Sequence, residues 1–256
     1  RDCEEEMNRF FVEPNQIQGK RISITGKDVN HIKNVLRMKP GEEISVSNGA
    51  DGKEYRCGIE EIGEEEIVCG LRFIKEDGLE LPSKIYLFQG LPKADKMELI
   101  IQKAVELGAF EIVPVACRRS VVKLDDKKAA NKVSRWQGIA EAAAKQSRRG
   151  IIPNVHHVMS FQEALHYGGS IKTKLIPYEL AGEEGATMEK TREIMRSLKP
   201  GEDVAVFIGP EGGFEEGEVA KAMEAGALPI TLGRRILRTE TAGMTVLSVL
   251  MYHLEQ

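Results

Sequence analysis

No two cysteines in the chain are spaced as a CxxC pair: Cys3, Cys57, Cys69 and Cys117 are scattered. That pattern excludes the usual structural zinc site. A Cys57–Cys69 disulfide is one reading if the two fall on adjacent strands, and free buried thiols in a reducing compartment are the expectation. No apolar run reaches the roughly 18–20 residues that a membrane helix needs. Neither GxxxxGK[ST] nor GxGxxG occurs, which removes the main support for a nucleoside-triphosphate or dinucleotide-binding reading. A GxSxG elbow is absent, and with it a Ser-His-Asp hydrolase. His156-His157 has no HExxH pattern around it, so a loop or strand-edge role is expected and no metal site. There is no internal repeat and no low-complexity segment. The sequence does not open with a charged, then apolar, then small-residue leader, which sets the expectation of a cytoplasmic protein. Residues 1–6 (RDCEEE) are assigned no role in the fold.

Hydrophobic residues make up 41% and charged residues 30% of the 256 positions. This supports a real core and either one large domain or a small one joined to a medium one. The net charge of −4 argues against a nucleic-acid partner until its distribution is read. Residues 1–79 carry 12 Lys/Arg against 17 Asp/Glu, residues 80–150 carry 14 against 8, and residues 151–256 carry 10 against 15. A basic middle between acidic flanks points to a local anionic partner, because phosphate attraction is screened and local. A solvated helix face accounts for the same charge.

The first part reads as strands at 21–24, 43–47, 54–59 and 67–74, with helical spacing over 27–36. Turn chemistry lies in Asn48-Gly49-Ala50-Asp51-Gly52 and near Gly63. Several short strands with one helix imply a small barrel, ending near Glu76-Asp77-Gly78 and Pro82. Beyond Lys84, short apolar strands at 85–88, 112–115, 174–177, 204–208 and 229–232 alternate with helices, the pattern of a mostly parallel α/β sheet. Asp95 and Glu98 predict a capping box ahead of the stripe Met97, Ile100, Ile101, Ala104 and Val105, with Gly108 as the stop. Ser160 and Glu163 predict another capping box, closed by Gly168-Gly169.

Two late stretches carry the chemistry. In Phe207-Ile208-Gly209-Pro210-Glu211-Gly212-Gly213-Phe214, an apolar strand runs into a Gly/Pro loop, and the acidic Glu215, Glu216 and Glu218 then suit a helix N-terminus. Glycine lets backbone approach a ligand closely. A tight strand-to-helix turn explains that stretch equally well. The second stretch, Leu232-Gly233-Arg234-Arg235-Ile236-Leu237-Arg238-Thr239-Glu240-Thr241-Ala242-Gly243, enters the last helix, with Thr239 or Thr241 as the expected cap. Three arginines and a glutamate beside an Ile-Leu pair suit a site that grips a neutral ring by apolar contacts and handles charge nearby.

GPEGGF and LGRRILRTETA, in this order, resemble the two signature loops of the ribosomal RNA small subunit methyltransferase E family, within the SPOUT methyltransferases. Further matches cover most of the chain. Arg9-Phe10-Phe11-Val12 and residues 31–38 (HIKNVLRM) resemble that family's N-terminal PUA-like barrel. Residues 96–108 with Arg119-Ser120-Val121-Val122-Lys123 resemble the opening of its catalytic domain, and residues 143–149 (AAKQSRR) its AAxQSxR helix end. Two departures are visible: Ala94 stands where glycine is expected, and Lys145 and Arg148 add charge to the helix motif.

The resemblance implies an α/β protein with a PUA-like β-barrel at residues 7–78. A SPOUT α/β-knot domain, with a mostly parallel sheet and a C-terminal trefoil knot, would follow at 82–256. Threaded connections are nearly absent from proteins, so no periodicity rule proposes the knot. The implied activity is methylation of N3 of one uridine in 16S ribosomal RNA, on the assembled small subunit, by S-adenosyl-L-methionine without a metal. The cofactor would lie among Leu175, Pro177 and Glu179, the loop Gly209, Pro210, Glu211, Gly212 and Gly213, and the run Leu232, Gly233, Ile236, Leu237, Arg238 and Thr239. Arg238 is the candidate for stabilising negative charge on the uracil oxygens. Glu240 orients Arg238, accepts the proton, or is merely a helix N-terminal carboxylate. Candidate RNA contacts are Arg9, Arg37, Lys93, Lys96, Arg118, Arg119, Lys123, Gln146, Arg148 and Arg149, whereas Lys127, Lys128 and Lys132 read as a solvated face. The family also implies a homodimer, for which Met244, Leu247, Leu250 and Met251 supply a surface or, equally, a core. The alternatives are a SPOUT enzyme for another RNA and a non-catalytic RNA-binding assembly factor.

Overall fold

A computed structural model describes residues 7–75, 79–178 and 186–255. The expected boundary at Glu76-Asp77-Gly78 and the cofactor candidate Glu179 lie outside the described residues. Contacts divide the chain into two units: one runs to Glu80 and includes Ala144–Ile152, the other comprises Leu81–Ala143 and Pro153–Gln256. The segment Ala144–Ile152 therefore packs with the first unit, although its sequence position would place it in the second.

The first unit is a mixed six-stranded sheet of β1 (Arg9–Phe11), β2 (Ile17–Gln18), β3 (Arg21–Thr25), β4 (Glu43–Ser47), β5 (Glu54–Ile62) and β6 (Glu66–Lys75). The order is β1-β4-β5-β6-β3-β2, with β1–β4 parallel and the other pairs antiparallel. No ladder joins β1 to β2 among the described residues, so the expected barrel is a half-barrel. Ile22, Ile24, Ile44, Val46 and Ile67 alternate inward to form its core, the period-two burial of a sheet with one covered face. The helical spacing after Lys27 gives α1 (Lys27–Asn30), which widens into a π turn at His31–Val35 and lays Val29 and Ile32 on that core. Cys57 and Cys69 are buried and free, as expected, because β5 pairs Cys57 with Leu71 and Ile59 with Cys69.

Arg149, proposed above as an RNA contact, belongs to this core region. Its side chain is 5% exposed and its guanidinium pairs with Glu80 at 2.5 Å. The same carboxylate accepts the Gly150 and Ile151 amides at 3.0 and 3.1 Å. A buried charge needs such partners, and a side chain buried this far presents little surface to a phosphate. Gly150 is required here by close approach: a Cβ would stand 2.8 Å from the Gly52 carbonyl oxygen.

The second unit has an all-parallel sheet built from β7 (Ile85–Gly90), β8 (Ala109–Ala116), β9 (Asn154–Val155), β10 (Met159–Ser160), β11 (Thr173–Pro177), β12 (Val204–Ile208) and β13 (Ala227–Ile230). Its order is β10-β8-β7-β12-β11-β13, with β9 also on β8. Val204–Ile208 is buried throughout, as a central strand covered on both faces must be. The helices are α2 (Lys96–Glu106), α3 (Asp126–Gln146, whose last turn belongs to the first unit), α4 (Phe161–Tyr167), α5 (Met188–Ser197), α6 (Glu216–Glu224) and α7 (Thr239–Leu254). The expected stripe of α2 is buried and its stop follows at Gly108.

Capping differs from expectation at two of the helices. Asp95 makes no side-chain cap: its backbone is not extended, and the Glu98 amide donates to its carbonyl at 3.0 Å, while the Glu98 side chain pairs with Arg135 at 2.8 Å. Thr239 and Thr241 do not cap α7 either; Arg238 is the N-cap residue, without a side-chain bond. The Ser160/Glu163 box is present, and Glu215 with Glu218 forms another at α6.

Candidate active site

The C-terminal ends of β11, β12 and β13 face one cavity of about 580 Å³, a volume suited to a nucleoside-sized ligand. After β12 the chain turns through Gly209, Pro210, Glu211, Gly212 and Gly213, and the Gly213 amide donates to the Pro210 carbonyl at 2.8 Å. After β13 it passes Thr231 and Leu232 to Arg238 and enters α7. The Thr239 hydroxyl, freed from capping, donates to the Gly209 carbonyl at 2.6 Å and accepts from Gln89 Nε2 at 2.9 Å. The end of β7 joins them. Gly90 lies so close to the Gly209 loop that a Cβ would stand 2.6 Å from Pro210 N, which no side chain tolerates.

Of the expected cofactor residues, Pro177, all five of Gly209, Pro210, Glu211, Gly212 and Gly213, and all six of Leu232, Gly233, Ile236, Leu237, Arg238 and Thr239 line this cavity. Leu175 does not; it is buried within the sheet, two residues short of the strand end. Tyr178, Ile208, Phe214, Ile230, Thr231, Arg235 and Ala242 line it as well, although none was named from sequence as a cofactor contact. Gln89 was missed altogether. Its signal was available: an amide side chain ending the apolar run Ile85-Tyr86-Leu87-Phe88 needs a reason to be buried. It is fully buried, and its Oε1 has no hydrogen-bond partner.

The charged groups of the wall are arranged asymmetrically. Lys96 Nζ lies 3.0 Å from Glu211 Oε1 and 3.4 Å from Glu240 Oε2. Hydrogen bonding to Glu211 raises the Lys96 pKa. Burial pushes the Glu211 carboxyl upward, but its own amide, Lys96 and the Lys93 amide outweigh this and hold it below the ordinary range. Arg119 lines the cavity and donates to the Gly212 carbonyl at 3.2 Å. Arg238 is exposed and has no ion pair with a described residue; Glu240 pairs with Lys96 instead of orienting it.

The expected RNA contacts fall into two groups. Lys93, Arg118, Arg119 and Lys123 are exposed on the second unit, whereas Lys96 is drawn into the cavity by its two carboxylates. On the first unit, Arg37, Gln146 and Arg148 are exposed and Arg149 is buried. Arg9 is half-buried, donating to Ser47 Oγ at 3.1 Å and to the Arg148 carbonyl. Arg37 and Arg148 both hold positive φ, at 54° and 59°. Among the described residues no group of three or more His, Cys, Asp and Glu could hold a metal ion. His156 pairs with Glu111 at 2.9 Å. No described helix is long and apolar enough to cross a membrane.

A parallel sheet whose strand ends and two glycine-bearing loops wall one nucleoside-sized cavity, in a chain that also carries a half-barrel unit, fits an RNA methyltransferase with a PUA module. Family models agree: an RNA methyltransferase domain matches residues 79–251 and an RNA methyltransferase PUA domain residues 24–71. The chain belongs to the ribosomal RNA small subunit methyltransferase E family. It is 40% identical to the Bacillus subtilis (strain 168) protein of that name over 97% of this chain and 98% of that one. With the Aquifex aeolicus protein of that name it shares 30% over 96% and 99%. A crystal structure of the Neisseria gonorrhoeae member bound to S-adenosyl methionine superposes with a TM-score of 0.80, at 32% identity, over 96% of this chain and 97% of that one.

Proposed function

We propose that the protein transfers a methyl group from S-adenosyl-L-methionine to N3 of one uridine in 16S ribosomal RNA of the small subunit. The single observation that carries this reading is the cavity built by the Gly209–Gly213 and Leu232–Arg238 loops and tied shut by Thr239 on Gly209. Its residues fit the donor. Pro177, Ile208, Leu232, Ile236 and Leu237 offer apolar surface for an adenine ring, and the loop backbone offers amides and carbonyls. Glu211, paired with Lys96 on the wall, supplies negative charge suited to a sulfonium.

When bound, the cofactor supplies an electrophilic methyl carbon, and the C–S electron pair returns to sulfur as the nitrogen–carbon bond forms. The protein's own task is to expose and deprotonate N3. Flipping a paired base costs a few kcal/mol. Glu240 takes the N3 proton, leaving its electron pair on nitrogen. Arg238, exposed at the head of α7, donates to the uracil oxygens where negative charge collects. Arg118, Arg119 and Lys123, with Arg37 and Arg148 of the half-barrel, hold phosphates, and the half-barrel, assigned to residues 7–78, positions the RNA.

The same reading makes the enzyme a cytoplasmic homodimer with a knotted C-terminal chain. β11 sits between β12 and β13, while α7 returns to pack on β7, β12 and α2, an arrangement that supports threading. Leu247 and Leu250 are buried core, whereas Met244 and Met251 are half-buried and remain on the proposed dimer surface with Val249, 43% exposed, and Tyr252, 86% exposed. Calorimetry with S-adenosylmethionine, then mass-spectrometric mapping of 16S RNA from cells lacking the protein, tests the proposal. No binding, or an unchanged uridine pattern, overturns it.

A further inference from the structure

Gln89 stands one residue before the end of β7 and is fully buried, a place where an apolar side chain needs no partners. Its Nε2 donates to the Gly90 carbonyl at 3.0 Å and to the Thr239 hydroxyl at 2.9 Å. Its Oε1 has no hydrogen-bond partner among the described residues. Gly243 of α7 lies beside that oxygen, where a Cβ would stand 3.6 Å away, and glycine offers no side-chain donor. A buried acceptor left unpaired costs stability, and methionine would fill a similar space without that cost. The amide is therefore accounted for by what its nitrogen does.

That nitrogen fixes the direction of a proton. The Thr239 hydroxyl has one proton to give, and the Gly209 carbonyl at 2.6 Å can only accept it. The partner supplied by β7 must then be a donor. A reversed amide would turn Oε1 toward the Gly90 carbonyl, two acceptors face to face, so its neighbours set the orientation. Gln89 does not line the cavity, but Thr239 and Gly209 both do. The next residue presses on the same loop, since a Cβ on Gly90 would stand 2.6 Å from Pro210 N.

We propose that Gln89 is a positioning residue for cofactor binding. Through the Thr239 hydroxyl it fixes the Gly209–Gly213 loop in the form that receives S-adenosylmethionine, and it touches neither cofactor nor RNA. The proposal rests on the reading of the cavity as the cofactor site.

The test compares Gln89→Met, Gln89→Leu, Thr239→Val and the double variant Gln89→Met with Thr239→Val in the full-length protein. Calorimetry gives the affinity for S-adenosylmethionine, and a melting curve gives the thermal midpoint. Gln89→Met and Gln89→Leu should each lose about tenfold in affinity, the scale of one hydrogen bond. Their midpoints should stay within about 4 °C of wild type, because the unpaired oxygen leaves together with the two bonds. The double variant should bind as Thr239→Val does, since both changes cut one chain of bonds.

Wild-type affinity in both single Gln89 variants overturns the proposal. So do additive losses in the double variant, which would mean that Gln89 acts by a route other than Thr239. Midpoints lowered by more than about 4 °C in both Gln89 variants, in step with affinity, would make it a residue of the fold alone and overturn it too. If the wild-type protein binds no S-adenosylmethionine, the reading of the cavity fails and the proposal with it. Wild-type binding that the Gln89 variants keep removes only the role of Gln89.

Discussion

The Thr239 hydroxyl donates to the Gly209 carbonyl at 2.6 Å while accepting from Gln89 Nε2 at 2.9 Å, so one side chain joins the first strand of the parallel sheet, the loop after β12 and the head of α7. Thr239→Val keeps the shape and removes both bonds. A buried partner left short of a bond costs about 1–3 kcal/mol. S-adenosylmethionine affinity should fall at least tenfold by calorimetry, and Thr239→Ser should recover most of it.

Arg149 and Glu80 form a buried pair that fixes Ala144–Ile152 within the first unit. Arg149→Met should destabilise the protein by about 3–5 kcal/mol in denaturant unfolding, because Glu80 keeps its burial and loses its cation. Adding Glu80→Met should return much of that loss. The salt dependence of RNA binding by folded protein should not change, which distinguishes this arginine from Arg118.

Ala94 has φ of 53° where the family pattern calls for glycine. The left-handed region costs a non-glycine residue about 1–2 kcal/mol, and glycine's freer unfolded chain returns roughly 0.4–1 of it. Ala94→Gly should therefore stabilise the protein by about 0.5–1 kcal/mol, read as a rise in the thermal midpoint.

Glu211 titrates below the ordinary carboxylate range, burial being outweighed by its own amide, Lys96 and the Lys93 amide. A depressed carboxyl contributes stability that is fully present above its unfolded pKa, about 4.3, and is lost as pH falls through the lower folded value. Exchange protection of the Lys93 amide, corrected for intrinsic rate, should hold steady from neutral pH to about 5. It should collapse only in stronger acid, and Glu211→Gln should lack that acid limb.

Arg118 and Lys123 are exposed on the second unit. Each alanine substitution should flatten the salt slope of RNA binding by roughly 0.7–0.9 while leaving cofactor affinity intact. Arg119→Ala should lower both, because that side chain also holds the Gly212 carbonyl.

Local chemistry was readable in the chain. Apolar runs such as Val204–Ile208 and the stripe of α2 follow from period and composition, because burial selects those side chains wherever the element packs. The two glycine-bearing loops were legible as motifs, and their residues line one cavity. Leu175 lies buried in the sheet while Pro177 reaches the cavity, because a strand's inner face and its open end differ only in where the sheet stops.

Composition and periodicity set which elements form and mark the two loops that line one cavity. The partners of each charged side chain came from packing. Lys96, Arg119 and Arg149 are alike as letters in a basic segment, yet one joins two carboxylates, one holds a loop carbonyl and one is buried on Glu80. The physical reason is that a charge takes its role from the partners and solvent within a few ångströms. Those partners, at Glu211, Glu240, Gly212 and Glu80, come from far along the chain.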